Sequence, residues 1–339
     1  MKRVAVIGFG FMGITHSQNI LKNRDLELAA IVEKDEASVV RKIDDPEGNI
    51  STGETDVNAL KKVPVYTSLK TCLEKETLDA VHICVHTNLH YAVVKEALES
   101  GLHVLVEKPF LLDVEKGEEL IRLAQEKNLI LMVAHVVRFM SPYKKLYEII
   151  HSETYGKLKF ISLSRFSGLP LWGQWKDKQK DFGSSGGALF DLIIHDIDFA
   201  AFVFGKAPDK IESKVLPGKL SKHDYLNANW KYHSKNVDVK IEGGNIFHSN
   251  FPFEAGYKAV FEKATVSFST NDADLIYIDS DTERVSIDAN DLGDGYFNEI
   301  ALFAESIKTE NLPEKYSPKT ALDTIKLCYR HLETQEPVR

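Results

Sequence analysis

The sequence predicts a two-domain protein in which a doubly wound parallel sheet of the α/β class is followed by an α+β domain with a mostly antiparallel, open sheet. Three observations support this prediction. A glycine-rich turn follows the first apolar segment, apolar segments then alternate with helix-compatible ones as far as residue 139, and strand-like segments with few helices follow after that. A chain of 339 residues can form both domains, which we place at 1–139 and 140–339.

The glycine-rich turn begins directly after an apolar strand at 4–7 and leads into a helix that extends to about Lys22. In the spacing G-x-G-x-x-G, the first glycine permits a tight turn, the second lets a pyrophosphate approach the backbone, and the third lets the helix pack on its strand. Free N–H groups at the helix N-terminus favour a bound phosphate. The residues predicted to bind a dinucleotide here, rather than to form a purely structural turn, are Gly8, Phe9, Gly10, Phe11, Met12 and Gly13.

A second apolar strand, at 28–32, ends in Glu33, which lies 20 residues after Gly13. At this spacing a carboxylate accepts hydrogen bonds from the adenosine ribose hydroxyls, and it would repel a 2′-phosphate. Glu33 therefore favours NAD as the cofactor. The neighbouring Lys34 would instead pair with a 2′-phosphate, so NADP remains an alternative.

The remaining segments of the first domain continue the alternation. Strands are predicted at 63–66, 79–85, 103–106 and 129–134, and helices at 69–76, 89–100 and 114–127. Together with the first two strands this gives six, which indicates a doubly wound parallel sheet. The polar, aperiodic segment 44–56 is interpreted as a surface insertion.

Lys108 follows the apolar strand at 103–106 and precedes Pro109. Proline cannot continue a central strand, and it restricts the residue before it to extended geometry. Lys108 is thus expected at the carboxyl end of a buried parallel strand, where open α/β sheets bind their ligands. The alternative is an ordinary surface lysine.

In the second domain strands are predicted at 158–166, 210–215, 225–232, 237–241, 257–269, 275–279 and 284–287. The linker 168–183 contains Trp172 and Trp175. Because indole faces stack well on sugar C–H surfaces, both are candidate substrate-binding residues, and a plain packing role is the alternative.

An apolar helix predicted over 186–205 contains Asp191, His195 and Asp198 within a wedge of ~60°. Buried charges are rare unless they are paired or in use. His195 is a candidate base for a substrate hydroxyl, Asp191 would orient its imidazole, and Lys108 would donate to the reacting oxygen across a cleft. Alternatively, these side chains form a polar seam that caps loops.

Composition excludes several classes. Forty-two basic against 50 acidic residues give a net charge of −8, and no basic block indicates a nucleic-acid or membrane partner. No apolar stretch reaches the ~20 residues of a spanning helix, and the first strand begins within a few residues of Met1, so we expect neither a spanning helix nor a signal peptide. Cys72, Cys84 and Cys328 are widely spaced, which predicts neither a metal site nor disulfides, and favours the cytoplasm.

These residues together resemble the Gfo/Idh/MocA oxidoreductases. The resemblance rests on the glycine turn, on the segment from Thr87 to Pro109, on 134–139, and on the Gly-Gly-x-x-x-Asp-x-x-x-His pattern that ends at His195. The closing segments 297–311 and 317–332 match more loosely, and we expect the last helix to pack on the first domain. Glu33 replaces the commoner aspartate of the family, and His86 replaces a small residue.

The resemblance implies a Rossmann domain and a catalytic set of Lys108, Asp191 and His195. It also implies cofactor contacts from Glu33, Thr87, Asn88, His90, Glu107 and Arg138, although an interdomain salt bridge is an alternative for Arg138. The open sheet of the second domain often serves the family as a subunit interface, so a homodimer or homotetramer is expected.

The expected activity is hydride transfer between NAD(P) and a hydroxyl or ketone of a sugar, cyclitol or related polyol. Two alternatives stay open at this point. The chain could be a glycosidase that uses bound NAD for transient oxidation, or a dinucleotide-binding regulator without catalysis.

Overall fold

The structure is a computed structural model, and it describes residues 1–44, 56–169 and 186–334. The chain forms two compact units. The first contains residues 1–135 and 296–322, and the second contains 136–295 together with the described residues from Asp323 onward. Because these units interleave along the chain, the predicted domain boundaries 1–139 and 140–339 remain predictions.

The first unit is built on a six-stranded parallel sheet. Its strands are Lys2–Ile7 (β1), Leu26–Val32 (β2), Val65–Tyr66 (β3), Ala80–Ile83 (β4), His103–Glu107 (β5) and Leu131–Ala134 (β6). Their order in the sheet is β3-β2-β1-β4-β5-β6. Successive strands are therefore added on one side of β1 up to β3 and on its other side from β4 onward, so the strand order reverses between β1 and β4. Doubly wound sheets bind their ligands at this reversal, beyond the carboxyl ends of the strands.

Helices cover this sheet. They are Phe11–Lys22 (α1), Glu36–Asp44 (α2), Val57–Leu60 (α3), Leu69–Leu73 (α4), Thr87–Glu99 (α5) and Val114–Glu126 (α6). The central strands are buried on both faces. Their short, apolar sequences, rich in valine and isoleucine, suit this position. Ala321 and Leu322, far along the chain, join the same core, and the Leu322 side chain packs directly over Gly117 of α6.

The doubly wound sheet and the glycine turn are confirmed, while α2 was not predicted from the sequence. This helix is strongly polar on its outer side and buries only a few residues, including Val39 and Ile43. The predicted surface insertion at 44–56 falls mostly on residues 45–55, which lie outside the described residues.

The second unit contains an eight-stranded sheet of order β14-β13-β12-β11-β7-β10-β9-β8. Its strands are Leu158–Gly168 (β7), Lys210–Leu216 (β8), Tyr225–Tyr232 (β9), Val237–Phe247 (β10), Glu254–Phe261 (β11), Ala264–Ser269 (β12), Leu275–Ser280 (β13) and Arg284–Asp288 (β14). All neighbours are antiparallel except β7 and β10. The predicted mostly antiparallel sheet is confirmed.

Five further α-helices follow β6 along the described part of the chain. They are Ser141–Ser152 (α7), Ala188–Asp191 (α8), Ile194–Phe204 (α9), Gly295–Thr309 (α10) and Pro318–Glu333 (α11). Nearly all of α10 belongs to the first unit, and α11 is divided between the two units. The sequence missed α7. It also merged β11 and β12 into one strand at 257–269, which was wrong, because the chain reverses at Glu262 and Lys263 to form a hairpin.

The continuous helix predicted over 186–205 was also wrong, since the helix breaks at Leu192 and Ile193. The Ile193 N–H bonds the carbonyl of Ala188, five residues back, at 2.8 Å. This extra residue in the turn shifts the angular position of everything after it, so α8 and α9 are separate helices. Among the described residues, no helix is both long and apolar enough to cross a bilayer.

Candidate active site

The glycine turn lies directly after β1, beside the reversal of strand order. Gly8 has φ +87°, and its N–H donates to the Val32 carbonyl at 2.8 Å. A Cβ on Gly13 would lie 2.1 Å from the Gly8 carbonyl oxygen, whereas a Cβ on Gly10 would meet nothing within 4 Å. The turn therefore needs Gly8 and Gly13 for its own geometry and leaves open space at Gly10, as a bound pyrophosphate requires.

The helix that follows presents its first N–H groups toward this space, since residues at a helix N-terminus have no intrahelical acceptor. Phe11 and Met12 are partly exposed there, while the Phe9 ring is fully buried. The residues of the turn thus fit a dinucleotide phosphate, with Phe9 anchoring the turn in the core.

Glu33 lies at the end of β2 and points back to the glycine turn. Its Oε2 accepts the Phe9 N–H at 3.0 Å and the Lys42 ammonium at 2.9 Å. Burial acts to raise the pKa of Glu33, but Lys42 and the N–H groups of Phe9 and Asp35 outweigh it and lower the pKa. The carboxylate is therefore held ionised beside the turn, where the sequence predicted a ribose contact.

Lys42 on α2 is a residue that the sequence argument missed. The sequence points to Lys34 as the cation beside Glu33, but the Lys34 side chain is exposed, and the Lys42 ammonium contacts the carboxylate. The spacing of nine residues offers no local signal, because only the fold of α2 brings the two together.

Next to β1 in the sheet, β4 leads into α5, which begins at Thr87. Thr87 is buried and Asn88 is exposed. His90 is buried, with Nε2 3.0 Å from the Val85 carbonyl and Nδ1 3.0 Å from the Pro109 carbonyl. Burial lowers the pKa of His90, although the surrounding carbonyls act in the opposite direction. His90 thus joins the loop after β4 to the loop after β5, and its predicted cofactor contact remains a prediction.

Lys108 follows β5, and its peptide bond to Pro109 is cis. The Lys108 N–H donates to Glu107 Oε2 at 3.1 Å, and the other carboxylate oxygen, Oε1, lies 3.1 Å from His16 Nε2 on α1. His16 Nδ1 in turn lies 3.1 Å from Nδ1 of His82 on β4. A buried chain of side chains therefore runs from β4 through α1 to the backbone of Lys108.

His16 and His82 were not considered from the sequence, although a signal was present. Five consecutive polar residues, 15–19, lie in the middle of α1, and all of them are buried. Buried polar side chains in a helix are hydrogen-bonded as a rule, so such a run on a nucleotide-binding helix indicates an internal polar contact.

In the second unit, two acidic residues of α9 are paired with arginines. Asp196 accepts from Arg165 Nε at 2.8 Å, and Asp198 accepts from Arg138 Nε at 2.7 Å and from Arg138 Nη2 at 2.6 Å. Burial raises the pKa of Asp196, and the Arg165 charge opposes this effect. The arginine of the Arg138 pair is thus committed to a partner within its own unit, and its predicted cofactor contact stays a prediction.

Asp191 and His195 differ from these neighbours because both are only partly buried. Asp191 ends α8 and His195 lies in the first turn of α9, on either side of the break at 192–193. Asp198, by contrast, is 1% exposed and also accepts the Thr324 hydroxyl at 2.9 Å. Of the three residues that the sequence places in one wedge, Asp191 and His195 therefore remain the candidates for contact with a ligand. Trp172 and Trp175 lie outside the described residues.

Comparison with known proteins identifies the family. A sequence profile for an oxidoreductase family with an NAD-binding Rossmann fold matches residues 2–135, and the profile of the Gfo/Idh/MocA C-terminal domain matches 143–266. The chain belongs to the Gfo/Idh/MocA oxidoreductase family. The resemblance drawn from the sequence is confirmed, and the six-stranded sheet with its glycine turn is the NAD-binding Rossmann domain of this family.

Two relatives share about a quarter of their residues with the matched part of this chain. The chain is 26% identical to the UDP-N-acetylglucosamine 3-dehydrogenase of Acidithiobacillus ferrooxidans over 226 residues, which is 67% of this chain and 62% of that protein. It is 26% identical to the 2,7-anhydro-N-acetylneuraminate hydratase of Mediterraneibacter gnavus over 259 residues, 72% of this chain and 62% of that protein. The matched part of the chain therefore spans less than two thirds of each relative.

A solved structure of the Acidithiobacillus ferrooxidans UDP-N-acetylglucosamine 3-dehydrogenase superposes with a TM-score of 0.77 at 20% identity. The superposition covers 98% of this chain and 97% of that one. The Gfo/Idh/MocA fold thus extends over both units.

Proposed function

We propose that this Gfo/Idh/MocA protein is an NAD(P)-dependent oxidoreductase that transfers a hydride between nicotinamide and a hydroxyl or ketone of a sugar, cyclitol or related polyol. The observation that carries the proposal is the position of Lys108. In the six-stranded sheet only β4 separates β5 from β1, so Lys108 and the glycine turn lie at the same carboxyl edge. A cation donor beside a dinucleotide site is what polarisation of a reacting oxygen requires.

In this proposal the bound nicotinamide supplies the hydride acceptor in oxidation and the hydride donor in reduction. The Lys108 ammonium donates a hydrogen bond to the reacting oxygen. His195 takes the hydroxyl proton when the substrate is oxidised and returns it on reduction, and Asp191 orients the imidazole. The partial exposure of Asp191 and His195, beside fully buried and paired Asp196 and Asp198, supports this division of roles.

The proposed cofactor contacts follow the same edge of the Rossmann sheet. Besides the glycine turn, they comprise Glu33, Thr87, Asn88, His90 and Glu107. Arg138, which belongs to the second unit, is proposed as a further contact. Glu33 is expected to favour NAD, since its carboxylate is ionised beside the turn. Lys42, rather than Lys34, is the cation that would accept a 2′-phosphate if NADP were bound.

The test is a panel of sugars, cyclitols and nucleotide sugars, each assayed with NAD and with NADP for a change in NAD(P)H absorbance. The Lys108→Ala variant, purified in parallel, is the control for contaminating dehydrogenases. We expect turnover on at least one polyol that the variant lacks. Tight dinucleotide binding without turnover on any substrate, in either direction, would contradict the proposal and favour a regulator that only binds dinucleotide.

The relationship to the Mediterraneibacter gnavus hydratase favours one rival within the enzyme class. A protein that oxidises its substrate only transiently, as an NAD-using glycosidase would, consumes substrate without net formation of NADH. Product analysis by mass spectrometry on the same panel separates the two, because net oxidation removes two hydrogens from the substrate.

We also propose how the chain assembles and where it is located. Buried residues alternate with half-buried or exposed ones along β9, so one face of the sheet is less covered at this strand, and we propose a homodimer or homotetramer through that face. Light scattering after size-exclusion chromatography measures this directly. The thiols of Cys72, Cys84 and Cys328 are all free, which supports a cytoplasmic location.

A further inference from the structure

We propose that His16 is a positioning residue for the catalytic Lys108, acting through the Glu107 carboxylate. The proposal rests on the function proposed above. It assigns to α1 a second task besides phosphate binding, namely to hold the loop that carries the lysine.

The contacts form one continuous path. His16 Nε2 lies 3.1 Å from Glu107 Oε1, and Glu107 Oε2 accepts the Lys108 N–H at 3.1 Å. His16 is fully buried and Glu107 is 7% exposed, so water has little access to replace either bond. Charge-assisted hydrogen bonds of this kind are about twice as strong as neutral ones, and they fix geometry.

The chemistry of the partners fixes the direction of the bonds. An ionised carboxylate only accepts, so His16 donates to Glu107 from Nε2. In a neutral His16 this leaves Nδ1 as an acceptor, and Nδ1–H of His82 is the matching donor. Burial lowers the pKa of His82 well below its usual value, so His82 stays neutral and can donate from Nδ1. His82 therefore fixes the His16 ring from behind.

The consequence for Lys108 is orientation. A carboxylate that lost its His16 donor would rotate toward any remaining donor, and the Lys108 N–H would lose its fixed acceptor. The side chain of Lys108 starts at this backbone atom, so a small rotation displaces its ammonium from the reacting oxygen. Displacements of ~1 Å at a reacting centre can reduce turnover by as much as about 100-fold.

Two amide substitutions separate the Glu107 contact from the His82 contact. In His16→Gln the amide nitrogen occupies the place of Nε2 and can donate to Glu107. In His16→Asn the shorter amide occupies the place of Nδ1, so it can bond His82 but cannot reach Glu107. Both replace an imidazole by an amide in the same buried site, so each is the control for the other.

A third variant tests whether any loss of buried polarity has the same effect. His82→Leu removes the bond behind His16 and keeps the bond between His16 and Glu107. Circular dichroism and thermal unfolding report the folded fraction of every variant, and kinetic constants are expressed per folded protein.

We expect His16→Asn to lower kcat by about 10- to 100-fold, with KM for the substrate changed by less than about 3-fold. His16→Gln should recover at least most of the kcat, and His82→Leu, which keeps the donor to Glu107, should lower kcat less than His16→Asn does. A slowed hydride step also raises the kinetic isotope effect on kcat with deuterated substrate in His16→Asn, which a general loss of stability would not do.

Equal kcat in His16→Gln and His16→Asn would overturn the proposal, as would losses that follow thermal stability across the three variants. A readout without turnover keeps the proposal separate from the proposed function. In ¹⁵N-labelled protein the Lys108 amide resonance should shift in His16→Asn and stay near the wild-type position in His16→Gln. An unchanged resonance in both variants refutes the contact even if no substrate is found.

Discussion

Arg138 and Asp198 form a two-point ion pair in the interior of the second unit. The Nε and Nη2 groups of Arg138 lie 2.7 and 2.6 Å from the two oxygens of Asp198, and the residues are 5% and 1% exposed. The periodicity of a continuous helix predicts that Asp198 lies on the same face as Asp191 and His195. Its carboxylate instead joins α9 to the short turn that contains Arg138.

Because this pair is buried, removing one partner leaves an uncompensated charge. We predict that Asp198→Leu lowers the free energy of unfolding by about 3–5 kcal/mol, measured by urea denaturation. The double variant Arg138→Met with Asp198→Leu should lose less than the sum of the two single variants. An exposed pair, Lys308 with Asp25, is the control, and Asp25→Ala should cost less than about 1 kcal/mol. Equal losses at the two pairs would contradict the assignment.

Lys108 and His195 are expected to act in the chemical step. Lys108→Ala and His195→Ala should each lower kcat by at least about 100-fold, because a donor or a proton acceptor at the reacting oxygen is lost. Dinucleotide dissociation constants, measured by calorimetry, should stay within a few-fold of wild type. Exposed residues provide the matched controls, Lys62→Ala and His248→Ala. Unchanged turnover in either active-site variant removes that residue from the mechanism.

The second and third glycines of the turn, Gly10 and Gly13, should respond differently to an added methyl group. Gly10→Ala has space in the protein and an ordinary φ of −90°, so it should fold as wild type and yet weaken dinucleotide binding at least 10-fold by obstructing the pyrophosphate. In Gly13→Ala the Cβ would clash with the Gly8 carbonyl, so thermal stability itself should fall. A stable Gly10→Ala variant with unchanged affinity would place the pyrophosphate elsewhere.

Cofactor choice should depend on Glu33 and Lys42 together. Wild type is expected to bind NAD more tightly than NADP. Glu33→Ala should reduce the ratio of the NADP to the NAD dissociation constant by about 10-fold. The substitution removes a repelling carboxylate and releases Lys42 to pair with a 2′-phosphate. Adding Lys42→Ala should cancel the gain in NADP affinity, whereas adding Lys34→Ala should not. The measurement is fluorescence titration with both cofactors, and a wild-type preference for NADP would overturn the role of Glu33.

His331 on α11 predicts a loss of stability in acid. Its Nε2 accepts the Trp230 indole N–H at 2.8 Å, and its Nδ1 lies 2.7 Å from the Leu327 carbonyl. Burial lowers the pKa of His331 from 6.5 to about 4. The unfolded chain thus binds this proton more tightly, so the contribution of His331 to stability is complete above about pH 6.5 and is lost as the pH falls toward 4.

The expected loss over that interval is about 3 kcal/mol, from ~1.4 kcal/mol per unit of pKa difference. His331→Gln, which can still accept the indole N–H, should show a shallower decrease in urea unfolding free energy between pH 7 and 4.5. The exposed His248→Gln variant is the control. Equal slopes in wild type and His331→Gln would show that other groups cause the acid sensitivity.

The sequence alone predicted the Rossmann half well, since its signals are local. Apolar, β-branched runs predict buried parallel strands, and the glycine spacing predicts the turn that follows β1. The observed strands begin or end within three residues of their predicted positions. Lys108 was placed at its strand end for the same reason, because proline restricts the residue before it.

The sequence-based prediction was wrong at two places where one or two residues decide the course of the backbone. The sequence contains no signal for the wide turn at Leu192 and Ile193, since every side chain around it suits a continuous buried helix. Likewise the hairpin at Glu262 and Lys263 contains neither glycine nor proline to interrupt a strand. Local preference is too weak in both places to oppose tertiary packing.

Composition and spacing thus predicted the fold class and the dinucleotide turn, and they named Lys108, Asp191 and His195 as candidates for the chemistry. Only the tertiary structure decided which polar side chains are paired with one another. His16 meets Glu107 across 91 residues of chain, and Arg138 meets Asp198 across 60. The physical reason is that a strand or turn is set by its neighbours in sequence, whereas a buried polar group must find its hydrogen-bond partner wherever packing places one.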